Sequence, residues 1–171
     1  MTMSEPAPDA YRQLGKFIVS FQHAEDAINE ILVLLSKADD DEAVRILMNE
    51  LGYSQRLKTV DALFTRFVDL RQDSDKSETV EFHKLIGDLG NLGTRRNEFV
   101  HSKYVPWRNV EGAWGLIRKN SRFHQRIREE REEELLPGAF DADLERVQLA
   151  LRRLEEFRLR ILDWLYPDVS T

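Results

Sequence analysis

The chain has 171 residues, no cysteine and a net charge of −6, with 42% hydrophobic and 33% charged residues. That length suits one domain able to bury a real core, and the lack of cysteine excludes disulfide frameworks and thiolate metal sites. The acidic balance excludes a protein that coats nucleic acid with its whole surface, and no apolar run approaches the roughly 18 residues a membrane span needs.

The opening stretch MTMSEPAP has neither the basic nor the apolar region of a signal peptide. Residues 1–8 are therefore expected to be flexible, and the expected address is the cytoplasm of a prokaryotic-type cell. A first helix is predicted from about Asp9, placed as its N-cap, to Lys37. Tyr11, Leu14, Ile18, Phe21, Ile28, Leu32 and Leu35 recur three and four apart, which is one buried stripe. Position 25 belongs to that stripe and holds glutamate. A shorter helix over Asp41 to Leu51 turns Val44, Leu47, Met48 and Leu51 inward and stops at Gly52. Ser54 caps a third helix to about Arg71, burying Leu57, Val60, Phe64 and Phe67, and the polar residues Gln72 to Lys76 connect it to a fourth.

The fourth helix is expected to begin near Ser77. Its stripe reads Phe82, Leu85, Leu89, Leu92, position 96 and Phe99, and position 96 is arginine. Gly87, Gly90 and Gly93 each cost about 1 kcal/mol of helix propensity relative to alanine. Their spacing of three points either to close approach of another helix or to a locally weak one. From Lys103 to about Lys119, two β-like runs flank Asn109-Val110-Glu111-Gly112, which reads as a small hairpin. Ser121 to Leu136 is charged enough for a solvated helix or an arm, broken at Pro137-Gly138. A last helix spans Asp141 to Tyr166, with Leu144, Val147, Leu151, Leu154, Ile161 and Leu165 facing in. The expected fold is all-α: a single domain over 1–171, an up-and-down bundle of four long helices and a short one. It carries a hairpin insertion at 103–120 and a charged arm at 121–138.

Two charges thus occupy apolar positions, Glu25 and Arg96. An isolated charge in a helical core is expensive, so the simplest expectation is that they pair and bridge the first and fourth helices. A salt bridge that only sets helix register is the alternative reading. Asn97 and His101 lie four apart, nearly on one face, while Arg96 and His101 are separated by about 140° of helix rotation. Such a set suits phosphodiester chemistry. An imidazole can take a proton from a ribose 2′-hydroxyl, a guanidinium can stabilise the charge on a phosphorane-like transition state, and an asparagine can orient either. One histidine cannot conveniently be base and acid in one step, so a two-fold dimer is expected to supply both. Arg95 is an alternative phosphate contact and also fits a looser arginine-to-histidine spacing, as do Arg118 and His124. The other histidines lack partners at metal-ligand spacing, and there is no phosphate loop, so no metal and no cofactor are expected.

Between Arg95 and Arg128 nine basic residues face two acidic ones, a local +7 that leaves −13 for the rest. Lys103, Arg108, Arg118, Lys119 and Arg122 are the candidate RNA contacts in this stretch. A solvated, arginine-rich loop is the plainer reading.

Arg96-Asn97-Glu98-Phe99-Val100-His101 resembles the Arg-(four to six residues)-His motif of the HEPN superfamily of helical-bundle proteins, in the form where a polar residue follows the arginine. Residues Phe21 to Ile28 and Gly52 to Leu57 are similar to the context seen in bacterial members. The resemblance covers about residues 10–120. It implies a metal-independent endoribonuclease acting as a toxin of a toxin–antitoxin pair or in phage defence, with a composite site at a homodimer interface. His101 would be the acid/base, Arg96 the phosphate-stabilising group, Asn97 a helper and Glu25 the residue that orients Arg96. RNA and an antitoxin or other partner protein are the implied partners. Other members are non-enzymatic dimerisation or regulatory modules, and that is the alternative function.

Overall fold

A computed structural model describes residues 6–71, 75–124 and 127–167, with the main chain alone for 122–124 and 127–129. Helix α1 runs Pro8–Ser36, α2 Asp41–Asn49, α3 Tyr53–Asp69, α4 Lys76–Val100 and α5 Asp141–Leu165. Between α4 and α5 lie three strands, β1 (Lys103–Arg108), β2 (Trp114–His124) and β3 (Ile127–Leu135), and a 3₁₀ turn at Pro137–Phe140. The protein is mostly helical with one small antiparallel sheet in the order β1-β2-β3. Among the described residues no helix is long and apolar enough to cross a membrane.

The helix ends follow local chemistry. Pro8 opens α1, where its missing N–H costs nothing, and Asp9 sits in the first turn instead of capping it. Asp40 caps α2 by accepting from the N–H groups of Glu42 and Ala43. α2 stops at Asn49, short of the expected Leu51, and Gly52 is the N-cap of α3 in place of the expected Ser54, because Gln55 reaches back to accept the Gly52 N–H at 2.9 Å. At α4 the cap is Asp75, which accepts from Ser77 N–H at 2.9 Å, so the helix starts one residue before the expected cap.

α1 packs on α3, α5, α4 and α2, while α4 is flanked by α3 and α5. The apolar members of the stripe expected of α4 are buried, namely Phe82, Leu85, Leu89, Leu92 and Phe99, while Arg96 is only half-buried. In α1 the core also takes Phe17, Ala24 and Ile31, and Tyr11, Leu14 and Ile18 sit at its margin. Phe17 meets Phe99 edge-on at 5.0 Å, and Phe64 stacks on Phe82 at 4.1 Å. Leu47 does not turn inward. It is 67% exposed, because α2 is short and buries only Met48 fully.

The charged segment after the hairpin is neither a solvated helix nor a free arm. β2 continues to His124, and β3 returns beside it with Leu116 opposite Leu135, Arg118 opposite Glu133 and Lys119 opposite Glu132. Apolar and opposite-charge cross-strand pairs outweigh the helix propensity of a glutamate-rich run. Residues 125–126 of the expected arm lie outside the described residues, as do 1–5 of the expected flexible start and 72–74 of the expected connector.

The glycine row of α4 does mark a close approach, at one place. A Cβ on Gly93 would lie 2.4 Å from Tyr53 Cε1, whereas nothing stands within 4 Å of one on Gly87. Tyr53 cannot swing aside freely, since its hydroxyl donates to Leu89 O at 3.0 Å and its ring lies against Phe21. Gly93→Ala should therefore lower unfolding free energy by about 1–3 kcal/mol through overpacking, while Gly87→Ala should raise it by up to about 1 kcal/mol through helix propensity. Urea denaturation of both variants tests the contact; equal effects would mean that α3 does not press on α4 at Gly93.

Candidate functional site

Adjacent residues on a helix point about 100° apart, and the two arginines near the end of α4 have opposite fates. Arg95 turns toward α5 and the sheet. Its Nε donates to Asp143 Oδ2 at 2.9 Å, its Nη1 and Nη2 to the two oxygens of Glu133 at 3.0 and 2.8 Å, and Nη1 also to Glu98 at 3.3 Å. Its guanidinium carbon also lies 4.2 Å from the centre of the Phe99 ring. Arg118, buried on β2, donates from Nε to Glu133 at 2.7 Å and from Nη1 to Ser102 Oγ and Glu98 O. Tyr104 on β1 donates to Phe99 O at 2.8 Å.

Burial by itself would lower the Arg95 pKa, but the hydrogen bonds and charges of Glu133 and Asp143 win and raise it. Burial likewise pushes Glu133 up, and Arg95 and Arg118 together outweigh it and hold the carboxyl below its ordinary value. Desolvation lifts the Tyr104 hydroxyl to about 12, leaving it a proton donor at any neutral pH.

Arg96 faces the other way, over the Phe21 ring at 5.8 Å, and donates to Asn97 Oδ1 at 3.1 Å. The expected pair with Glu25 does not form. Glu25 is taken by Arg56 of α3 at 3.0 Å, and Arg56 also donates to Asn29 at 3.0 Å. The reason is that α3 lies against this stretch of α1 and offers a guanidinium at the required level. Arg96 is half-buried and, among the described residues, has no carboxylate partner.

His101 is the first residue past α4 and donates its backbone N–H to Asn97 O at 3.0 Å. Its side chain is exposed and lines a cleft of about 230 Å³ together with Lys103, Lys119, Asn120, Ser121 and Glu130. Asn97 lines a different opening, between α3 and α4, with Tyr53, Ser54 and Thr94. Within one chain, then, Arg96 and Asn97 stand together and His101 opens elsewhere. Among the described residues no group of three His, Asp or Glu is placed to hold a metal ion.

The basic stretch is largely neutralised. Arg95, offered as a second phosphate contact, is committed to three carboxylates, and Arg118 is buried against Glu133. Neither is open to RNA. Lys119 is tied to Glu132 at 2.6 Å, and Arg108 sits at the hairpin tip, donating to Gly112 O and lying over Trp114. Lys103 is exposed beside His101. The Arg122 side chain lies outside the described residues. Counting the five glutamates and Arg131 of residues 129–134 cuts the local charge from +7 over 95–128 to +3 over 95–135. Glu133, Asp143 and Arg56 were not singled out by the spacing. Glu133 had no signal while its segment read as a solvated helix or an arm, and Arg56 showed only as part of the stretch opening α3.

These features define a mostly helical protein whose longest inter-helix connection, a small sheet, is bolted by ion pairs to the end of α4. No family model matches the chain, and neither the curated proteins nor the solved structures give a match.

Arg95→Met should cost about 2–4 kcal/mol, less than stripping a fully buried pair because Glu133 is about a third exposed. Arg96→Met should cost under about 1 kcal/mol. Chemical denaturation separates them, and equal losses would contradict the network. Because the Glu133 pKa is depressed on folding, its contribution is full above the ordinary glutamate value of about 4.3 and fades as pH falls through the lower native value. Glu133→Gln should flatten that acid limb of the stability curve; an unchanged limb would show that Glu133 is not coupled to folding.

Proposed function

We propose that this protein is a metal-independent endoribonuclease of HEPN type, acting as a cytoplasmic homodimer in a toxin–antitoxin or phage-defence setting. The four long helices are read in that proposal as an up-and-down bundle. The observation that carries it is the contrast between neighbours on α4: Arg95 is fully claimed by carboxylates, while Arg96 has only neutral contacts among the described residues and His101 is open to solvent. A guanidinium without a carboxylate partner beside an asparagine, and an exposed imidazole five residues on, are what phosphodiester chemistry needs.

In the proposed reaction His101 takes the proton of a ribose 2′-hydroxyl, and that oxygen attacks the adjacent phosphorus. The bond from phosphorus to the 5′-oxygen breaks, and the leaving oxygen takes a proton from the second histidine of the dimer. The products are a 2′,3′-cyclic phosphate and a free 5′-hydroxyl. Arg96 stabilises the charge on the equatorial oxygens, with Asn97 holding it through the 3.1 Å hydrogen bond. Because the two groups open to different sides of one chain, a two-fold arrangement is needed to complete the site.

The neutralised basic stretch favours the second reading, a non-enzymatic dimerisation or regulatory module, since Arg118 and Lys119 are spent on Glu133 and Glu132. Incubating purified protein with RNA in EDTA decides between them. Cleavage is expected, with His101→Ala and Arg96→Ala each slowing it by about 100-fold or more and leaving the unfolding midpoint in place. Intact RNA with well-folded wild type, across several substrates and with no growth defect on overexpression, would leave only the module.

A further inference from the structure

Pairing between β1 and β2 reaches its limit at Lys103 opposite Lys119, whereas β2 runs on to His124 with β3 alone beside it. The main chain of Asn120 and Ser121 therefore has a strand on one side only. Its open side is the one on which β1 lies, and the chain preceding β1 is the end of α4 with His101. The cleft of about 230 Å³ takes in this open edge, lined by His101 and Lys103 on the side where β1 lies and by Glu130, Arg131 and Glu132 of β3 on the other. An unpaired strand edge presents alternating N–H and C=O groups. Here they stand with an amide from Asn120, a hydroxyl from Ser121 and, at the rim, the ammonium of Lys103. Among the described residues Lys103 has no carboxylate partner, unlike Lys119, which Glu132 holds at 2.6 Å.

The volume lies below the roughly 300–1,000 Å³ of sites that engulf drug-sized ligands, so it suits a single nucleotide and no duplex. Unstacked RNA bases are read by hydrogen bonds along their edges, while phosphates position the chain without carrying sequence. Among the described residues no Phe, Tyr or Trp lines the cleft, and the polar groups that do line it can hold a base by its edge.

We infer that this cleft is a base-selecting nucleotide subsite for single-stranded RNA, with a phosphate on Lys103 and His101 and the base edge on the main chain and side chains of Asn120 and Ser121. The inference rests on the endoribonuclease reading for its place next to the scissile phosphate. It makes the enzyme selective for the base on one side of the cut.

The test is an NMR titration of the full-length protein in EDTA with the four nucleoside 3′-monophosphates and with inorganic phosphate. Signals of His101, Lys103, Asn120 and Ser121 should move, and the four dissociation constants should spread by about tenfold, the size of one good base-edge contact. Asn120→Ala should collapse that spread without altering the affinity for inorganic phosphate, and Lys103→Gln should weaken all five ligands alike. Equal binding of the four nucleotides and phosphate, or shifts confined to the groove of Tyr53, Thr94 and Asn97, overturns the subsite. Binding is read without turnover, so the two proposals fail separately. Selective binding with no RNA cleavage keeps the nucleotide site and removes the enzyme, while cleavage with no selective binding does the reverse.

Discussion

Two guanidiniums and three carboxylates meet where α4 ends, and the geometry of everything around the candidate site depends on them. Arg95 and Arg118 share Glu133, and Arg95 also holds Asp143 and Glu98, so one cluster ties α4, β2, β3 and α5 together. The last carbonyls of any α-helix lack intrahelical partners. In α4 the side chains of Ser102 and Arg118 serve Glu98 O, and Tyr104 serves Phe99 O. The sheet has little apolar surface of its own to bury, with Leu116 and Leu135 fully inside. Ion pairs and helix-end hydrogen bonds must therefore orient it. Removing one member of such a cluster leaves its neighbours charged and partly desolvated, which costs more than the intact pairs contribute.

The long helices were readable because their apolar residues repeat three and four apart, broken only by single charges such as Glu25 in α1 and Arg96 in α4. Phe82, Leu85, Leu89, Leu92 and Phe99 are all buried where that spacing puts them. β3 was unreadable for the opposite reason. Between Ile127 and Leu135 every residue is charged, so neither a period of two nor one of 3.6 shows in hydrophobicity. What makes the segment a strand lies in another segment, namely the cations of β2 at matching register. Information of that kind is pairwise and does not appear in a window of single residues.

The same limit explains the partner of Glu25. Periodicity states that a carboxylate at that level of α1 needs a cation, and one is there at 3.0 Å. It comes from Arg56 and not from Arg96, because several helices pass the same level and spacing along one of them cannot choose between its neighbours. A strict three-and-four alternation also drifts about 20° per heptad against the true helical period. Over the length of α4 that drift shares the inward side between positions 95 and 96. The residue most deeply engaged is Arg95, which the stripe placed one step outside.

That one-step difference bears directly on chemistry. Had Arg96 been locked to Glu25, its charge would have been neutralised by a fixed partner and its reach restricted. With Arg56 meeting Glu25 and Arg95 meeting Glu133, the needs of both half-buried carboxylates are met by other cations, and the arginine of the Arg-Asn-x-x-x-His stretch meets no carboxylate among the described residues and donates to Asn97. An uncompensated guanidinium gains more from an incoming phosphate than a paired one, since no existing ion pair has to be broken first. The surrounding network thus serves the proposed chemistry by exclusion: Arg56 takes Glu25, the carboxylate that would otherwise hold Arg96.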